Sequence, residues 1–83
     1  MALHGHVAMA LESYARLPAV WDVSKHSEVA VFSAASGMGV VIYDIQNDLW
    51  VTHWIDLADG MTKKITFKHP ANAIGEIESR GTL

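Results

Sequence analysis

The chain has 83 residues, of which 51% are apolar and 18% are charged; its formal charge is −3 and it contains no cysteine. This length fits one domain over residues 1–83, and the lack of cysteine excludes disulfides and thiolate metal sites. The negative charge is small and dispersed along the chain, so nucleic acid is not an expected partner. Because globular proteins average about 25% charged residues, this chain has few polar groups with which to cover its surface.

The first seventeen residues do not have the features of an export signal or a membrane span. No basic region precedes the apolar run, and His4, His6 and Glu12 interrupt it. We therefore expect a cytoplasmic protein without membrane contacts. The small size and the lack of recognisable motifs would suit a phage or mobile-element protein that acts on a host complex.

The N-terminal segment has the periodicity of an amphipathic helix. Apolar residues recur at helical spacing over residues 3–16, and Pro18 ends the pattern. Gly5 weakens the first turn, so the helix could begin as late as His6. The following residues, 19–27, fit either a short strand or a loop that buries a tryptophan.

From residue 28 onwards, β-branched and aromatic residues predict strands. Residues 28–34 fit a strand, or alternatively a helix capped at Ser24 or Ser27. The runs 40–45 and 49–57 predict a hairpin closed by a three-residue turn, Gln46-Asn47-Asp48. A tighter turn at Asp59-Gly60 leads into an alternating strand at 63–68.

The last element is a short helix that begins at Pro70 and runs to Arg80, with Gly81 as its stop signal. The predicted fold class is therefore α+β. It consists of an N-terminal helix, an antiparallel sheet of three to four strands in a meander, and a short C-terminal helix.

The predicted turns divide the strand residues between two faces of the sheet. One face carries Trp50, Trp54, Ile65 and Phe67, with Val40, Ile42, Asp44 and Thr52. The other carries Val41, Tyr43, Ile45, Leu49, Val51, His53 and Ile55, edged by Lys64 and Lys68. Both faces are more apolar than an antiparallel sheet with one solvated side requires.

We expect the helices to cover the tryptophan face and the other face to bind a partner. The predicted partner-binding residues are Tyr43, Val51, His53, Ile55 and Lys64. A three-layer domain with one helix on each side is the alternative. A one-residue error in either turn would also exchange the faces.

Candidate catalytic and metal-binding residues are sparse. His4 and His6 form the closest histidine pair, but a helix would point them about 200° apart, so we predict no metal and no cofactor. His53 lies mid-strand with Tyr43 and Asp56 in reach, yet no nucleophile motif accompanies it, and we interpret it as a structural histidine.

Two further features also have simpler structural interpretations. The run Gly37-Met38-Gly39 lacks the third glycine of a phosphate loop, so we interpret it as a turn. Lys63, Lys64 and Lys68 are typical of an edge strand that is protected from aggregation.

The sequence thus favours a non-enzymatic protein-interaction module, homodimeric through an apolar sheet face or docked by that face on another protein. Association is also a common source of stability for small domains without disulfides. The alternative is a small-ligand-binding or enzymatic domain, whose pocket between helix and sheet would use His53 and Tyr43.

Overall fold

A computed structural model describes residues 5–23 and 27–82. The elements, in chain order, are α1 (His6–Tyr14), a 3-10 turn (Pro18–Val20), β1 (Trp21–Asp22), β2 (Val29–Ser33), β3 (Gly37–Asp44), β4 (Leu49–Asp56), β5 (Thr62–Phe67) and α2 (Pro70–Gly81). All strands in the described part belong to one antiparallel sheet with the order β1-β2-β3-β4-β5. The predicted α+β class, the meander and the two helices are confirmed.

The sheet has five strands rather than the predicted three to four. Residues 29–33 form a strand and not a helix, and Trp21–Asp22 pairs with Phe32 and Val31 as a two-residue edge strand. The possible helix start at Leu3 and the possible cap at Ser24 lie outside the described residues.

Each helix begins where the sequence signals suggested. The carboxylate of Glu28 accepts hydrogen bonds from the backbone N–H of His6 at 2.9 and 3.0 Å, which places a negative charge at the start of α1. At α2, Pro70 occupies the first turn and His69 Nδ1 accepts from the Ala71 N–H at 3.2 Å. These contacts satisfy backbone donors that a helix start leaves unpaired.

Both helices pack on the same side of the sheet. Val7, Leu11, Ile74 and Ile77 share one buried cluster with the strand residues Ala30, Phe32, Val41, Trp50 and Trp54. Trp50 and Trp54 are each 6% exposed, so the predicted tryptophan core is confirmed. The alternative with one helix on each side of the sheet is wrong.

The register between β3 and β4 differs from the predicted one by one residue. Tyr43 pairs with Trp50 and Val41 with Thr52, across a four-residue connection at 45–48. The Asp44 carboxylate accepts from the backbone and side chain of Asn47, and Asp48 has a left-handed φ of 52°. These local bonds favour the longer turn.

This shift exchanges the two faces of β3. Val41 and Tyr43 lie on the helix side of the sheet, and Val40, Ile42 and Asp44 lie on the opposite side, so these five face assignments are wrong. The predicted pairings of β5 are displaced by two residues, because Asp56 and Met61 close a four-residue turn at 57–60 in place of a two-residue one. A two-residue shift preserves the faces, and the assignments of β5 therefore hold.

The segment Gly37-Met38-Gly39 begins β3 and is not a turn, so that prediction is wrong. A Cβ atom on Gly39 would overlap the side chain of Ile77 and lie 3.1 Å from Trp54 Cε3. Gly37 likewise faces the Trp54 ring. The two glycines therefore make room for a tryptophan and for α2 on the helix side of the sheet.

Candidate interaction surface

The side of the sheet opposite to the helices forms the candidate site, and we call it the open face. Its side chains, from β1 to β5, are Asp22; Val29, Val31 and Ser33; Met38, Val40, Ile42 and Asp44; Leu49, Val51, His53 and Ile55; Thr62, Lys64 and Thr66. Apolar residues dominate the three middle strands, whereas polar residues occupy the two edge strands.

The register aligns these side chains in rows across the strands. One row runs through Val29, Ile42, Val51 and Thr66. The next contains Asp22, Val31, Val40, His53 and Lys64, and a third contains Ser33, Met38, Ile55 and Thr62. The centre of the face is thus a continuous apolar patch of the kind that usually marks an interaction site.

Most of the central side chains are half-buried by their own neighbours. Val31, Val40, Ile42, Val51 and Ile55 are all intermediate in exposure. Val29 and Met38, at two corners of the patch, are 39% and 40% exposed. Apolar area therefore remains on this face, and its burial by another protein would be favourable.

Four of the five predicted partner-binding residues lie together on the open face: Val51, His53, Ile55 and Lys64. His53 is flanked by Val40 on β3 and by Lys64 on β5. Within the described residues its imidazole forms no hydrogen bond.

The fifth predicted residue, Tyr43, lies on the helix side of the sheet, so its prediction as an open-face residue is wrong. Its hydroxyl donates to Asp48 Oδ1 at 2.6 Å, and its ring centroid lies 4.7 Å from that of Trp50 and 4.6 Å from that of His6. The bond to Asp48, with burial and nearby acidic charges, raises the pKa of the Tyr43 hydroxyl above its usual value.

The pocket predicted around His53 and Tyr43 does not exist in this fold. The two side chains project from opposite sides of the sheet, and Asp56 is also on the side away from His53. The Asp56 carboxylate instead accepts from the Ala58 N–H at 2.8 Å. These residues therefore do not form an acid–base pair.

The residues that sequence reasoning missed are the open-face side chains of β2 and β3, namely Val29, Val31, Met38, Val40 and Ile42. A signal for them exists in the alternation of glycine with larger residues from Gly37 to Val40. Because alternate residues of a strand face opposite sides, Gly37 and Gly39 suit the crowded helix side, and Met38 and Val40 then face the open side.

A cleft of about 750 Å³ lies on the other side of the molecule, between the end of α1 and α2. Tyr14, Leu17, Phe67 and Asn72 contribute to its walls, and Glu78 lies at its inner end. The Glu78 carboxylate is already bound to the protein's own N–H groups. It is therefore a structural group.

The described residues contain neither a metal-binding cluster nor a membrane-spanning helix. No three histidine, aspartate or glutamate side chains there are grouped so that they could hold a metal ion. No helix in the same part of the chain is long and apolar enough to span a membrane. The possible metal ligands His4 and His26 lie outside the described residues.

Comparison with known proteins yields no relative: no protein family, no characterised protein and no solved structure matches this chain.

Proposed function

We propose that this protein is a non-enzymatic interaction module that forms a homodimer through its open face. The observation that carries the proposal is the position of the helices. Both pack on the tryptophan side, and nothing within residues 5–23 and 27–82 covers the apolar centre of β2, β3 and β4 on the open face. Sheets that are apolar on both sides are normally covered on both sides.

The size of the open face is suited to a stable dimer. β3 and β4 have eight residues each, so each extends over about 26 Å, and the strands of the sheet span roughly 20 Å across. The flat outline is on the order of 500 Å², and the projecting side chains add accessible area. This approaches the roughly 800 Å² per partner of a standard interface.

The composition of the face also resembles that of an interface. Its centre carries Val31, Val40, Ile42 and Val51, whereas threonines, a lysine and an aspartate lie at the rim. An apolar centre with a polar rim is the usual arrangement of a protein interface. Two such faces would stack as a sandwich with the sheets about 10 Å apart.

The experiment compares the wild-type chain with Val51→Lys and Met9→Lys by sedimentation velocity at equal concentration. Val51 lies in the centre of the open face, whereas Met9 is a 56% exposed residue on α1. We expect the wild type and Met9→Lys to have twice the 9.1 kDa mass of one chain. Val51→Lys should sediment at the mass of one chain, because the dimer would bury its ammonium group unpaired.

A second variant keeps the test valid if Val51→Lys does not fold. Met38 is already 40% exposed, so the lone domain tolerates lysine there, and Met38→Lys should also weaken the dimer. Circular dichroism checks the fold of each variant. A wild-type chain that stays monomeric, or a Val51→Lys chain that stays dimeric, would contradict the proposal, and the first result would favour a different protein as the partner.

A further inference from the structure

The charges at the two edges of the open face specify how two copies would meet. Asp22 lies on edge strand β1 and Lys64 on edge strand β5, and both are exposed. They belong to the same row, separated by Val31, Val40 and His53. Within the described residues neither charged side chain forms an ion pair or a hydrogen bond.

A symmetric face-to-face dimer has a two-fold axis that lies in the plane between the sheets. If the axis runs across the strands, each edge strand lies over its own copy. Asp22 would then approach a second Asp22, and Lys64 a second Lys64. If the axis runs along the strands, β1 of one subunit lies over β5 of the other, and opposite charges meet twice.

We infer that the axis runs along β3, the middle strand, so that Asp22 of each subunit lies against Lys64 of the other. The inference rests on the proposed homodimer and adds its geometry. Electrostatic complementarity of this kind fixes the orientation of two partners more than it adds affinity. Both helix layers would then lie on the outside of a four-layer assembly.

The same axis determines the contacts at the centre. Val40 and Ile42 on β3 would lie close to their own copies, and His53 would lie over Val31. Asp44, at the end of β3, would also approach its copy, but its carboxylate is bonded to Asn47 in the adjoining turn. The inferred axis thus gives two attractive Asp22–Lys64 contacts and one repulsive contact between the two Asp44 residues. The other axis offers no attractive charge contact at the edges.

Charge reversal tests the inferred axis. We expect Asp22→Lys and Lys64→Asp each to weaken the homodimer about tenfold at low salt, because two attractive contacts become repulsive. The double variant should recover most of the lost affinity. High salt should reduce all these differences.

The outcomes separate the axis from the dimer itself. If the wild type is dimeric but neither Asp22→Lys nor Lys64→Asp weakens the homodimer, the axis is wrong and the homodimer stands. If the wild type is monomeric, the proposed function and the axis both fail. Asp22→Asn and Lys64→Gln supply the same comparison with smaller effects if a reversed charge disturbs folding, which circular dichroism would detect.

Discussion

Glu78 connects more parts of the molecule than any other polar side chain described above. It is 5% exposed on α2 and accepts from the N–H groups of Arg16 and Leu17 and from the indole Nε1 of Trp21, at distances of 2.8 to 3.2 Å. The carboxylate therefore joins α2 to the end of α1 and to β1. Hydrogen bonds to a charged group contribute roughly 1.5–3 kcal/mol each.

Replacing Glu78 by alanine should lower the free energy of unfolding by about 3 kcal/mol, because the buried indole N–H of Trp21 loses its acceptor, whereas water can replace the carboxylate at the exposed residues Arg16 and Leu17. Urea denaturation at one fixed protein concentration measures the change. Glu76→Ala is the matched control, since Glu76 forms only a partly exposed i,i+4 pair with Arg80. That pair should contribute less than about 0.5 kcal/mol. Equal losses in the two variants would contradict this role of Glu78.

Tyr43 offers a pH-dependent test of the helix side. Its pKa is raised above the ordinary 10.0, first by the hydrogen bond to Asp48 and then by burial and acidic neighbours. The neutral phenol is thus favoured in the folded state. Its contribution to stability is complete below pH 10.0 and is lost as the pH rises through the higher folded pKa.

Asp48→Asn should therefore lower the pKa of Tyr43 towards 10.0. The pKa of Tyr43 is measured from the phenolate absorbance in a Tyr14→Phe background, in which Tyr43 is the one tyrosine of the chain. Asp59→Asn is the control, because Asp59 accepts from the Met61 N–H in another loop. An unchanged Tyr43 pKa in Asp48→Asn would show that the carboxylate does not hold the phenol proton.

At the scale of elements, the helices and the hairpins were predictable because they depend on local signals. Helical spacing before Pro18, the turn residues near 46–48 and the Pro70 start all act within a few residues. Local signals did not distinguish a strand from a loop at Trp21–Asp22, since this short strand exists only by pairing with β2. Tertiary pairing determined that element, and local propensity did not.

The face of each strand was harder to predict than its existence. β3 is apolar at both parities from Val40 to Ile42, so alternation does not distinguish two registers that differ by one residue. The distinction comes from size matching, in which Gly39 faces Ile77 and Trp54. For this reason Val51, His53, Ile55 and Lys64 lie on the predicted face of the sheet and Tyr43 does not.

Two glycine variants test this size matching. Gly39→Ala should destabilise the fold by about 1–3 kcal/mol, because the added methyl group overlaps Ile77. Gly75→Ala is the control, since apart from its chain neighbours and the backbone of its own helix no atom lies within 4 Å of a Cβ added at that position of α2. It should stabilise the helix by roughly 0.5–1 kcal/mol. Thermal unfolding measures both, and a stabilised Gly39→Ala chain would contradict the packing.

At the scale of the whole molecule, one layer of helices covers one side of one sheet. A chain of this size has a small core, and the 18% charged residues are too few to solvate a large second face. Dimerisation through the open face would bury Ile42 and Val51 and would couple folding to association. We therefore expect the folded chain to be a dimer.

An isotope-filtered NOE experiment on an equimolar mixture of labelled and unlabelled chains would detect the proposed interface itself. We predict intermolecular NOEs to the methyl groups of Val40, Ile42 and Val51, with none to Met9 on the outer side of α1. Intermolecular NOEs confined to the helix side, or a folded chain without any at millimolar concentration, would contradict it.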